Sequence, residues 1–275
     1  MRAGASAFAG FRPKRGYRVG MTQPGGQTDA AEHRTLRLEV VIVLAVTFGL
    51  SAANAVLELA DAVLSGLSSR IVALNPMRSN YDLINLGLNL TGIIQLLAWG
   101  ALGVYLLRRS GFGLNQIGLA PPRLRADVLG GVGLAALIGL PGLGLYIAAR
   151  LLGLSVAVEP SALNDTWWRV PVLVLAAFAN AWAEEVIVVA YLLTRLHQLR
   201  LTPARALVWS SMLRGAYHLY QGFGAGLGNL VMGLVFGYAW QRRGRLWPLV
   251  IAHGIIDSVA FVGYALAARH LGWLP

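Results

Sequence analysis

The stretch Asn180-Ala181-Trp182-Ala183-Glu184-Glu185-Val186-Ile187-Val188-Val189 decides the reading of this chain. Two adjacent carboxylates sit near the middle of an apolar run from about Val170 to Leu193. Such a run is long enough to cross a bilayer, which takes roughly 20 apolar residues. An ionised acid at the centre of a membrane helix costs about 2.5–3.5 kcal/mol even on lenient insertion scales, so a pair is kept only where the fold uses it. Later apolar runs carry Arg214 with His218, and His253 with Asp257. A bundle that gathers these side chains holds a polar site inside the membrane.

Composition agrees. Of 275 residues, 56% are hydrophobic and 13% charged, and the mean hydropathy is +0.60. A soluble domain carries about 25% charge. The chain has no Cys, which excludes disulfides and thiolate metal sites. Its net charge of +11 does not point to nucleic acid, because the arginines fall in the amino-terminal tail and in short links between apolar runs, as helix orientation requires. Residues 1–34 hold Gly, Ala, Ser, Arg and Pro without an apolar core stretch, so they read as a disordered basic tail and not as a signal peptide.

Working outward, seven apolar runs are expected: about Glu39–Ala60, Leu83–Leu107, Val128–Ala149, the carboxylate run, a short polar one from Ala206 to Tyr220, Phe223–Trp240 and Leu246–Ala268. The expected fold is an all-α polytopic transmembrane helix bundle of about seven spans, residues 35–275, behind the tail. The Gly111–Leu119 segment is too polar to span and is expected along the interface. Arg108/109/123/125, Arg195/200/205 and Arg242/243/245 fall in alternate links; that face should be cytoplasmic, with the amino terminus inside and the plasma membrane as the location. Counted at 1.5 Å per residue, Glu184 lies about 16 Å from Arg195, His253 about 12 Å from Arg245 and His218 about 20 Å from Arg205. Three helices thus carry ionisable groups at similar depth.

Helix positions i and i+4 share a face, so His253 and Asp257 point together, as do Arg214 and His218. Glu184 and Glu185 are about 100° apart on an α-helix, and only one is expected to point squarely into a shared site. A carboxylate held there with a His can act as general base on a water; a His beside an acid can stabilise an oxyanion. Glu184, His218 and His253 could also ligate zinc. The same set could serve as a proton relay in a proton-coupled transporter, although no paired broken helices or matching halves are visible.

Glu184-Glu185 on one helix, His218 on the next and His253-x-x-x-Asp257 on a later one, with Trp247-Pro248 leading in, resemble the CPBP (Abi) intramembrane protease family, the group that includes the type II CAAX prenyl endopeptidases. The resemblance covers about residues 171–262. It implies an endopeptidase in which Glu184 and His218 activate water while His253 and Asp257 bind the oxyanion, by a glutamate or a zinc mechanism. It also implies a peptide or membrane-protein substrate, and leaves oligomeric state open. A non-catalytic membrane partner or immunity-type protein on the same fold is the remaining reading. Two positions differ from the family's usual pattern. Val188-Val189-Ala190 stands where Phe-Arg-Gly is usual, and Arg214 stands where Phe is usual. The expectation drawn from them is that Arg214 supplies the missing cation and bonds Glu185 bidentately across two helices.

Overall fold

Helices account for almost all regular structure in the computed structural model, which describes residues 27–159 and 161–263. Residues 1–26 of the expected tail lie outside the described residues, whereas residues 27–34 are helical, within α1 (Gln27–Leu44). A π-helical turn, Ala45–Gly49, carries α1 into α2 (Leu50–Ser65). Next come α3 (Asp82–Arg109) and α4 (Leu124–Leu151). Then α5 (Arg169–Glu184) continues through a π-helical stretch, Glu185–Tyr191, into α6 (Leu192–Gln198). α7 (Pro203–Tyr217), α8 (Phe223–Arg243) and α9 (Trp247–Ser258) complete the bundle. Among the described residues these make seven rods, counting α1–α2 and α5–α6 as one each.

Five rods are long and apolar enough to cross a membrane: Ala30–Ser65, Asp82–Arg109, Leu124–Leu151, Arg169–Gln198 and Phe223–Arg243; Trp247–Val262 is a shorter apolar helix. The Arg169–Gln198 rod is the one wrapped by the rest. Its most apolar window is 67% buried, against 11–39% for the other four, so the carboxylate helix is the core of the bundle. α3 and α9 pack on α5, α4 packs on α9, and α8 pairs with α7.

α7 begins at Thr202, whose hydroxyl accepts from the Arg205 N–H, with Pro203 in the first turn, a standard helix start. Fifteen residues reach only about 22 Å, less than the roughly 30 Å hydrocarbon thickness. His218 at its end therefore turns back at depth, through a 3₁₀ turn at Leu219–Gln221 and Gly222 with φ 100°. The Ser155 hydroxyl donates to the Gln221 carbonyl at 2.9 Å, and Ser155 bridges Gly222. That segment runs into a short parallel pair, β1 (Ile71–Ala73) and β2 (Ala157–Glu159). Irregular backbone at such depth is tolerated where protein covers it or a polar cavity adjoins it. α7 and α8 approach closely where side chains vanish: a Cβ on Gly233 would stand 3.0 Å from Ser211 Cα.

The Gly111–Leu119 segment packs its carboxyl-terminal end into the bundle. Ile117 and Leu119 are buried, and the indole N–H groups of Trp240 and Trp247 donate to the carbonyls of Ile117 and Ala120. Ile117 and Leu119 thus bury against protein.

Candidate active site

Glu184 closes α5, and the π-helical stretch begins at the next residue. Val186, Ile187, Val188 and Val189 are all buried there; β-branched side chains lose rotamer freedom in a regular α-turn. A π turn steps through a smaller angle per residue, and π segments inside α-helices recur at functional sites. Here the consequence is direct. Glu184 and Glu185 are 2% and 0% exposed, and both carboxylates reach the site. The expectation that only one could do so is corrected, because it assumed an uninterrupted α-helix.

The two acids have different neighbours. Glu185 Oε1 accepts from Arg214 Nη2 at 2.7 Å and lies 2.8 Å from His253 Nδ1. Glu184 Oε1 accepts from the Asn180 side-chain amide at 3.0 Å, and its Oε2 accepts from the Tyr217 hydroxyl. Glu184 Oε1 also faces His218 Nε2 at 3.9 Å, and Oε2 faces Arg214 Nη1 at 3.8 Å. Arg214 therefore bonds Glu185 through one nitrogen, not two, with its fork spread across both carboxylates. Its Cζ lies 5.9 Å from the Phe236 ring centroid.

On α9, His253 Nε2 is 3.5 Å from Asp257 Oδ2, the same-face spacing of i and i+4. Asp257 Oδ2 also accepts from the Asn180 amide, at 2.9 Å. His218 is tilted against Tyr217 with ring centroids 4.8 Å apart, and its Nδ1 stands 3.4 Å from Gln221 Nε2. Phe48, from the π turn between α1 and α2, stacks on Tyr217 at 5.0 Å and meets Trp99 edge-on at 5.4 Å. Exposure is uneven: the side chains of His218 and Asp257 are 16% and 17% exposed, those of Glu185 and Arg214 0%. The site is sealed on the Glu185–Arg214 side and more open towards His218 and Asp257.

All six residues singled out from the sequence, Glu184, Glu185, Arg214, His218, His253 and Asp257, thus meet in one place. Asn180 and Tyr217 were missed. Asn180 lies one turn before Glu184, where the same-face rule could have found it; Tyr217 had only its adjacency to His218.

A zinc ion needs ligand atoms about 2.0–2.2 Å from one centre. Among the described residues, no group of three His, Cys, Asp or Glu side chains is arranged to hold a metal ion. His253 offers Nδ1 to Glu185 and Nε2 to Asp257, so it does not converge with Glu184 and His218. The Arg214 guanidinium beside Glu184 would repel a second cation. As arranged, these residues do not fit a zinc cage. They do fit a carboxylate base with an imidazole facing it and a second imidazole opposite.

Residues 166–259, which take in α5 to α9, match the model of the family described as type II CAAX prenyl endopeptidase Rce1-like. No curated protein and no solved structure matches the chain.

Proposed function

We propose that this chain, a protein of the CPBP intramembrane protease family that includes the type II CAAX prenyl endopeptidases, hydrolyses peptide bonds with Glu184 as general base. The family match implies a protease, and the apolar helices indicate a multi-pass membrane protein. The observation that carries the finer reading is the 3.9 Å between Glu184 Oε1 and His218 Nε2. It is too long for a direct hydrogen bond, and a water bonded to both groups from the side would be shared by the carboxylate and the imidazole. Glu184 takes a proton from that water, and the oxygen attacks the scissile carbonyl carbon. The C–N bond then breaks, and the proton passes to the departing amine. His253 Nε2 donates to the oxyanion, its ring oriented from behind by Glu185. Preorganised donors of this kind are worth roughly 10²–10³ in rate.

The catalytic unit in this reading is about residues 171–262, carried by the rest of the 35–275 bundle. The substrate is a peptide or membrane protein, reached in the plasma membrane with the arginine-rich links and the amino terminus in the cytoplasm. Cleavage of a reporter peptide by the purified protein in detergent tests the reading. Wild type should cleave, with or without a chelator, and Glu184→Gln should not. A Glu184→Gln protein that cleaves at near wild-type rate would overturn it.

A further inference from the structure

We infer that Asn180 is a positioning residue for this hydrolysis, its side-chain amide clamping Glu184 on α5 to Asp257 on α9. The inference rests on the reading of Glu184 as the base.

Three observations support it. Asn180 Nδ2 lies 3.0 Å from Glu184 Oε1 and 2.9 Å from Asp257 Oδ2. An amide oxygen facing two carboxylate oxygens would be repelled by both, so the nitrogen must face them, and its two hydrogens match two acceptors. The oxygen it holds, Glu184 Oε1, is the one that faces His218. The other oxygen is fixed by the Tyr217 hydroxyl, so the carboxylate plane is set from both ends. The donor is also neutral. A lysine or arginine at this position would place a formal charge against the base, whereas the amide orients both acids without adding a charge.

The plain alternative is a polar side chain that only fastens two membrane helices, as Asn often does. The two readings differ in what a folded variant does. Reporter cleavage and thermal unfolding in detergent are measured for wild type, Asn180→Ala, Asn180→Asp, the exchange N180D/D257N, and Glu184→Gln as the inactive reference. Asn180→Ala should lower kcat roughly 10- to 100-fold, the worth of a hydrogen bond to a charged group, with KM little changed and the protein still folded. Asn180→Asp should be worse, because it places a third carboxylate against the other two. The exchange should recover activity above Asn180→Asp, since it restores one amide between the two helices with the charge count unchanged. A folded Asn180→Ala protein with wild-type kcat overturns the inference. If Asn180→Ala does not fold, the exchange decides: no recovery over Asn180→Asp overturns it as well. Wild-type cleavage by Glu184→Gln would instead remove the hydrolytic reading itself, whatever Asn180 does.

Discussion

Arg214→Met removes the guanidinium that is shared by two buried acids. Arg214 and Glu185 are both 0% exposed and bonded at 2.7 Å, and the second nitrogen faces Glu184 at 3.8 Å. Met matches much of the side-chain volume, so the loss is mainly electrostatic. Taking away one partner of a buried pair typically costs about 3–5 kcal/mol, because the other charge stays buried without compensation. For a protein of this size about 2–4 °C of melting temperature accompanies each kcal/mol, so the unfolding midpoint in detergent should fall by about 6–20 °C. Adding Glu185→Gln should return a substantial part of that fall. The carboxamide oxygen can still accept from His253 Nδ1, and no unpaired charge remains at that position. The double-mutant cycle should therefore show coupling well above the ~0.5 kcal/mol within which independent sites add. The reasoning is refuted if Arg214→Met melts within 2 °C of wild type, a span of about 1 kcal/mol or less, or if the two losses simply add.

Asp257→Asn should retain more turnover than Asp257→Ala, because its carbonyl oxygen can accept the same bond from Asn180; equal loss in steady-state assays would mean that the charge itself matters. Gly233→Ala drives a methyl to 3.0 Å from Ser211 Cα, an overpacking of about 1–3 kcal/mol. At Gly228 the nearest atom is 3.5 Å away, so Gly228→Ala should melt like wild type, and equal midpoints for the two variants would contradict the close α7–α8 approach. Because the chain has no Cys, single cysteines report orientation directly. An impermeant thiol reagent added outside intact cells should label Ser68→Cys and spare Arg243→Cys, and the reverse pattern would invert the topology.

The rods and the gathering of ionisable residues were legible in the sequence for simple reasons. Twenty-residue apolar runs have few alternatives in lipid, and polar groups inside them need one another. Local backbone departures were not legible. Val186-Ile187-Val188-Val189 reads as helix in either case; only its packing against α3, α7 and α8 distinguishes a π stretch from an α-helix. The burial of Ile117 and Leu119 was hidden for the same reason, since the surface that covers them comes from Trp240 and Leu246, far along the chain. Residues 27–34 belong to helix α1, although they lie in a stretch whose Gly, Ser and Arg content reads as a tail, because composition does not mark the bounds of a rod.

The least legible feature is also the most informative about chemistry: two identical neighbours hold different positions. Glu185 faces Arg214 and His253, both on one oxygen, and is fully enclosed. Such a carboxylate is poorly placed to take a proton from water, since doing so would break two charge-assisted bonds at once. Glu184 is held by neutral donors, Asn180 and Tyr217, and faces His218 at 3.9 Å. It keeps its orientation without being tied to a cation at bonding distance, which is what a general base needs. In the proposed reading the roles follow from partners contributed by three segments, the Asn180 turn of α5, the end of α7 and the middle of α9. Exchanging the environments, more than exchanging the acids, is what would move the base from one glutamate to the other.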